Sequence, residues 1–341
     1  MIRARGLTRH FTVKKETVEA VRDLDLDVRP GEMVALLGPN GAGKSTTLRM
    51  LTTLLRPTAG TAEVAGHDIV TDPRAVRRRI GYIGQGNGAG HNQRGRDELV
   101  SQGRAYGMST AAARARAAEL ISSLDLDGVA DRVVSSLSGG QRRRLDIAMG
   151  LIHAPDLLFL DEPSTGLDPQ NRANLQDHIR RLRAEHGTTI VLTTHYLDEA
   201  DQLAERVIVI DHGRLIADDT PARLKADHAG DRISLTFDRE DEARRADAYA
   251  AGIAESARVE RHGANLVLRA AGGTRLVPKL LRGLDDAGIA VAAVEVARPT
   301  LDDVFLNLTG RSLREDGAAP GEIAPTDKTG RPNARQEEYA A

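Results

Sequence analysis

The chain has 341 residues, 40% hydrophobic and 28% charged, with a formal net charge of −2 and no cysteine. That length allows two domains with a sizeable core, the balanced charge excludes a global field drawing it onto nucleic acid, and the missing cysteine excludes disulfides and thiolate sites. No apolar run reaches the about eighteen residues of a membrane helix, and the N-terminal MIRARGLTRHF lacks a signal-peptide core, so any membrane business is expected to run through a partner.

Residues 2–28 alternate in short β-like runs, with Leu24, Leu26 and Val28 set between aspartates, which predicts an antiparallel edge sheet with one wet face. Phe11 falls on a strand end or turn there. It has two readings: edge packing, or a π-platform for a flat adenine ring. Next comes a buried strand carrying Val34, Ala35, Leu36 and Leu37, then Gly38, four residues, Gly43, Lys44 and Ser45. This is the phosphate-loop spacing G-x-x-x-x-G-K-[ST]. Glycines at 38, 41 and 43 let successive backbone N–H groups converge on one spot. Lys44 supplies a cation for the β- and γ-phosphates, the Ser45 hydroxyl a ligand for Mg²⁺, and the helix that follows favours the same anion. The strand before and the helix after make this a nucleotide-phosphate site.

Helix 43–54 ends at Arg56-Pro57, and a hairpin, a basic helix start (DPRAVRRRI) and a strand GYIG ending at Gln85 follow. Residues 86–96, GNGAGHNQRGR, read as a mobile loop, and 97–124 as a helical lobe with Arg114 and Arg116 on its solvated face. Ser138-Gly139-Gly140 opens a helix with an apolar stripe of Leu145, Ile147, Ala148, Leu151 and Ile152. By itself that opening is either an ordinary N-cap, the commoner case, or a second anion seat, and Arg142-Arg143-Arg144 reads as helix surface. The apolar strand LLFLDEPS delivers Asp161 where a Mg²⁺-holding carboxylate is wanted, with Glu162 beside it to polarise a water; the alternative is a strand stop with solvated acids. Strand TTIVLTTH ends in His195; a lone histidine is usually structural or exposed, but this one stands on the edge where open α/β sheets bind ligands. A helix over 197–204 and strand RVIVIDHGRLI complete the unit near residue 220.

In order and spacing these stretches resemble the nucleotide-binding subunit of ABC transporters, over roughly residues 3–225. The most specific mark is Leu137-Ser138-Gly139-Gly140-Gln141, the stretch that separates this family from other phosphate-loop proteins. The resemblance implies an α/β fold: a phosphate-loop ABC ATPase domain over 1–225, with a mixed-sheet core, an antiparallel β subdomain and a helical lobe over about 97–152. It implies ATP held by Phe11, Gly38, Pro39, Asn40, Gly41, Ala42, Gly43, Lys44, Ser45, Thr46, Ser138, Gly139, Gly140, Gln141 and Asp168. Phe11 stands where tyrosine is more usual. Mg²⁺ is implied at Ser45, Gln85 and Asp161, and catalysis at Glu162 as base, His195 as γ-phosphate contact, Gln85 and Lys44. Two copies are expected to pair head to tail, each ATP lying between one phosphate loop and the other chain's residues 138–141.

Residues 231–310 read as a small α+β accessory domain, and 298–311, with LSGGQRRRLDIA and TTHYLDEAD, is similar to the drug-resistance subgroup of bacterial ABC exporters. That implies efflux of a drug-like or hydrophobic compound, a separate multi-helix membrane permease as partner, a place on the cytoplasmic face of the membrane, and no nucleic-acid partner. Leu301, Val304, Phe305 and Leu308 share one helix face, which either closes the small domain's core or docks the other subunit. The tail 311–341 is expected to be disordered. The competing readings fit less well: a ribosome- or DNA-acting ABC ATPase carries two cassettes or a long coiled coil, and a GTPase carries Asn-Lys-x-Asp. An ATP-binding regulator without turnover is a third.

Overall fold

The computed structural model describes residues 1–13, 16–86, 88–90, 92–253, 258–270 and 272–310; the tail 311–341 lies outside the described residues. Strands β1 (Ile2–Val13) and β2 (Glu16–Val28) form a long antiparallel hairpin, and the alternation of β2 buries Leu24, Leu26 and Val28. Strand β3 (Met33–Leu37), buried at every position, runs through the glycine loop into α1 (Lys44–Leu51). Strands β4 (Ala59–Val64) and β5 (His67–Asp68) complete an antiparallel sheet in the order β2-β1-β4-β5. Helix α2 (Pro73–Arg79), capped by Asp72, leads into β6 (Ile80–Ile83).

The helical lobe holds α3 (Gly95–Ala105), α4 (Thr110–Ser123) and α5 (Gly139–Leu151). The chain then alternates through β7 (Leu157–Asp161), α6 (Pro169–His186), β8 (Thr189–Thr193), α7 (Leu197–Leu203), β9 (Arg206–Asp211) and β10 (Arg214–Asp219). The central sheet runs β10-β9-β3-β8-β7-β6 and is parallel except at β10. Its inner strands read as unbroken apolar runs because both faces are covered. The carboxyl ends of β3, β6, β7 and β8 therefore open along one edge, the ligand edge of such sheets.

Helix α8 (Pro221–His228) leads to β11 (Asp231–Thr236), α9 (Glu240–Ile253), β12 (Arg258–His262), β13 (Asn265–Ala270), α10 (Gly273–Asp286), β14 (Ala293–Ala297) and α11 (Leu301–Thr309). The antiparallel sheet β12-β13-β11-β14 has its own core, built from Ile233, Leu235, Leu266, Leu268, Ala246 and Leu284. The architecture is the α/β class that the resemblance implies. Among the described residues no helix is long and apolar enough to cross a membrane.

Four local expectations are corrected. Arg143 and Arg144 are not helix surface but buried, at 8% and 9% exposure, because they share the inward phase of α5 with Ile147, Ala148 and Leu151. Arg116 is not on a freely solvated face either: it pairs with Glu119 and donates to the Leu151 carbonyl at 3.4 Å, its aliphatic stem half-buried. In 86–96, Gly88 and Ala89 donate backbone N–H bonds to Asp146, while Gln93 and Arg94 pair with Val134 and Val133, so the described part of this loop is tethered. The apolar face of α11 does not close the small domain's core. Leu301, Val304 and Phe305 pack with Leu203, Ala204, Leu224 and Ala229, so the last helix returns to α7 and α8.

Candidate active site

The glycine loop is fixed by close backbone packing. A Cβ on Gly38 would fall 2.1 Å from the Ile210 carbonyl oxygen, and one on Gly43, at φ 106°, 2.4 Å from that of Ala20. Only glycine fits either place. Pro39 and Ala42 are buried, Asn40 and Gly41 exposed, and Ser45 and Thr46 half-buried. Helix α1 starts at Lys44, so its first-turn N–H groups lack intrahelical partners. The Lys44 ammonium, in a side chain 4% exposed overall, curls back to the Gly38 and Pro39 carbonyls at 2.6 and 3.0 Å. Burial lowers its pKa, opposed by Glu162 and then Asp161, and both loop carbonyls are contacts that an arriving phosphate can replace.

Asp161, fully buried at the end of β7, stands at the centre of the site. Its Oδ1 accepts from the Ser45 hydroxyl at 3.0 Å and from the Thr193 hydroxyl at 2.7 Å, and its Oδ2 from the Tyr82 hydroxyl at 3.4 Å. The Gln85 amide donates to Ser45 Oγ at 3.3 Å. One carboxylate, one hydroxyl and one carboxamide thus gather from β7, α1 and the end of β6. This oxygen-bearing set suits a hard divalent cation that keeps water and phosphate among its ligands.

Glu162 adopts φ 49°, and its N–H donates to both the Thr193 carbonyl and its hydroxyl, at 3.1 and 3.0 Å. That fixed, left-handed residue aims a carboxylate whose side chain is 13% exposed. Its Oε2 lies 3.4 Å from His195 Nδ1 and accepts from the Thr165 hydroxyl at 3.1 Å. The His195 hydrogen bond lowers the Glu162 pKa against the opposing effect of burial, with Lys44 adding to the lowering, so the group is ionised at neutral pH.

The structure thus brings together Lys44, Ser45, Gln85, Asp161, Glu162 and His195. It gathers Ser138, Gly139, Gly140, Gln141 and Asp168 in a second place. Ser138 and Gln141 form a reciprocal capping box on α5. Asp168 caps α6 and accepts from the Asn171 side-chain amide at 2.6 Å, and a Cβ on Gly140 would meet Asn171 Oδ1 at 2.4 Å. Among the described residues no hydrogen bond or ion pair joins 138–141 to the phosphate loop. Phe11 stands apart as well, on β1, with the Arg9 guanidinium 4.8 Å from its ring centroid.

Three residues of this site escape the sequence reading. Thr193 orients both acids; its signal is position, as the last residue of β8 in register with Asp161. Tyr82, on the edge strand β6, touches Asp161 and has its phenol pKa raised by burial. Arg143 donates to the carbonyls of Pro163, Gly84 and Asp161 at 2.8, 2.8 and 3.3 Å. Its phase on α5 was the available clue.

Comparison with known proteins gives the family. The ABC transporter family matches residues 21–165, and the family "ATP-binding protein DrrA1-3-like, C-terminal domain" matches 220–309. The chain is 45% identical to the daunorubicin resistance ATP-binding protein DrrA3 of Streptomyces coeruleorubidus, covering 88% of this chain and 94% of that one. It is 39% identical to the Nod factor export ATP-binding protein I of Paraburkholderia xenovorans, over 89% of this chain and 97% of the relative. A solved dimeric ATP-binding cassette in a post-hydrolysis state with ADP and Pi is similar at TM-score 0.60 and 26% identity, covering 64% of this chain and 98% of that one. The chain belongs to the ABC transporter family, as an ATP-binding, ATP-hydrolysing subunit of the DrrA-like kind.

Proposed function

We propose that residues 1–225 act as the ATPase domain, and 231–310 as an accessory domain, of an exporter that moves a drug-like or hydrophobic small molecule through a separate multi-helix membrane permease at the cytoplasmic face of the membrane. Relatives named for daunorubicin resistance and Nod factor export support the export reading. One observation carries the ATPase roles: Lys44, Ser45, Gln85, Asp161, Glu162 and His195 converge at the carboxyl ends of β3, β6, β7 and β8, while residues 138–141 and Asp168 form a separate surface. A triphosphate seated on one chain's loop thus needs a second copy, head to tail, to bring 138–141 to it. The cassette neighbour is dimeric.

Residues 38–46 cradle the phosphates, Phe11 stacks the adenine, and the first-turn N–H groups of α5 grip the γ-phosphate from across the interface. Lys44 exchanges two carbonyls for phosphate oxygens. Ser45, Gln85 and Asp161 suit Mg²⁺, which when bound neutralises charge on the β- and γ-phosphate oxygens. Glu162 takes a proton from water as the water oxygen bonds to the γ-phosphorus, and the bond from phosphorus to the β-bridging oxygen breaks. ADP and phosphate leave. His195 holds the Glu162 carboxylate and contacts the transferring group.

The test is Glu162→Gln. With ATP and magnesium this variant is expected to form a stable dimer while turnover falls by about a hundredfold or more. Full turnover in the purified variant would remove Glu162 as base, and a monomer at high protein concentration would remove the two-copy site.

A further inference from the structure

His195 follows the end of β8 on a backbone that turns at once into α7. Tyr196, the next residue, caps that helix through its main chain. Its N–H donates to the Thr194 hydroxyl at 2.9 Å, and its carbonyl accepts the N–H groups of Glu199 and Ala200 at 3.1 and 3.3 Å. The backbone on both sides of the Tyr196 ring is therefore fixed. In a strand, successive side chains point to opposite faces. Here the chain has left the strand and the two neighbouring rings meet, with centroids 4.1 Å apart and planes at 41°.

A cation adds a third member. The guanidinium carbon of Arg172, in the first turn of α6, lies 3.6 Å from the Tyr196 ring centroid. That is well inside the about 6 Å over which a π-face attracts a cation. Two observations set this arginine apart. It stands near the N-terminal end of α6, where the helix dipole disfavours positive charge. Its Nε is buried with no hydrogen-bond partner among the described residues. The ring, with the charge of the buried Glu199, is what answers the guanidinium.

The histidine needs such support. Its side chain is 32% exposed, and its Nδ1 lies 3.4 Å from Glu162 Oε2. An imidazole hung on one contact keeps rotamer freedom, which costs free energy to remove at each turnover. A ring pressed against its face removes that freedom in advance. We propose that Tyr196, pinned by Arg172, is a positioning residue that holds the His195 imidazole in register with Glu162. This rests on the reading above in which Glu162 and His195 serve hydrolysis. The consequence reaches the base itself. The charged and titratable groups around Glu162 are His195 from the turn after β8, Lys44 from α1 and Asp161 from β7, with Glu199 of α7 acting on His195. Of these His195 does most to lower the Glu162 pKa, so a loosened imidazole lets that pKa rise and leaves the base ionised only at higher pH.

The experiment measures ATP hydrolysis by the full chain with magnesium, as kcat and KM across pH, for Tyr196→Ala, Tyr196→Phe, Arg172→Met and His195→Ala. Tyr196→Ala is expected to lose about tenfold in kcat with KM for ATP within about twofold, and to reach half-maximal kcat at a higher pH than the wild type. Arg172→Met keeps the stem and removes the cation; it is expected to lose about threefold, with the acid limb displaced the same way. Tyr196→Phe keeps the ring and is expected to match the wild type. A merely structural tyrosine would instead lower thermal stability, raise KM along with any loss of kcat, and leave the acid limb in place. Because Arg172 is half-exposed, its variant answers the question even where Tyr196→Ala fails to fold. Unchanged kcat and acid limb in Tyr196→Ala or in Arg172→Met overturn the proposal, as does a loss in Tyr196→Phe equal to that in Tyr196→Ala. A crippled His195→Ala beside those results leaves the histidine's own role standing. Full turnover in His195→Ala overturns that role and this proposal with it.

Discussion

Phe11 is the residue proposed to stack the adenine. The Arg9 guanidinium lies 4.8 Å from its centroid, and Arg9 Nη1 is tied to the Arg56 carbonyl at 2.9 Å. A cation held over one face of an aromatic ring is favourable by about 0.5–1 kcal/mol where solvent reaches it. It orders the aromatic face on which a flat base is proposed to stack. Phenylalanine in place of tyrosine keeps that face and gives up only a hydroxyl. We predict that Phe11→Ala weakens ATP by about 1 kcal/mol, near fivefold, with turnover at saturating ATP changed little, because the ring is remote from Glu162 chemistry. Phe11→Tyr should bind like the wild type. A titration showing equal affinity for Phe11→Ala and the wild type would reduce Phe11 to edge packing.

Elements show which parts of the site a sequence can reveal. Strands β3, β7 and β8 are legible because an unbroken apolar run between turn residues has one good home, the middle of a parallel sheet; β3 delivers the glycine loop, β7 Asp161 and β8 Thr193 to the same edge. Helix α5 is only half legible. Its periodicity marks the face with Ile147 and Leu151, yet no pattern says that Arg143 on that face meets backbone carbonyls rather than solvent. Helix α6 hides a similar group. The His178 side chain has 0% exposure, with Nε2 3.4 Å from Asp125 Oδ2 and Nδ1 accepting from Arg181 at 3.2 Å. Burial lowers its pKa, Arg181 and Arg144 add to that, and Asp125 opposes it. The folded protein therefore binds fewer protons there than the unfolded chain. The contribution is fully present above the unfolded imidazole pKa of about 6.5 and is lost as pH falls through it towards the lower folded value, at no more than about 1.4 kcal/mol per pH unit. His153, lowered by burial against its bond to the Ile80 carbonyl, acts in the same direction. We predict a falling urea midpoint between about pH 7.5 and about pH 5.5, with a shallower fall in His178→Gln. Parallel curves for the two proteins would place the pH dependence elsewhere.

At the scale of the whole molecule, two cores share one fastening. The sheet β12-β13-β11-β14 and helices α9 and α10 enclose their own apolar cluster, while the cluster around α7 and α8 includes three residues of α11. The amphipathic face of α11 is plain in the sequence, but periodicity fixes which side is buried and not which of two cores receives it. Asp303 shows why the helix serves as a joint: it closes a capping box with Thr300 and accepts from Arg269 of β13 at 2.9 Å, while Asn307 donates to the His228 carbonyl at the end of α8 at 2.7 Å. Polar contacts thus reach both sides, and Phe305, 1% exposed, supplies the apolar anchor. Deleting a buried phenyl ring costs about 3–5 kcal/mol when the surroundings cannot collapse. In Phe305→Ala that loss should fall on the joint, because the ring packs in the cluster with α7 and α8 and is no part of the small domain's own core. Native-state hydrogen exchange is then expected to show α11 and α8 opening at a free energy lowered by about 3 kcal/mol or more, while β11 and β13 keep their protection. A uniform loss through β11, β13 and β3 would mean instead that the two cores unfold as one unit and that α11 is interior packing like any other.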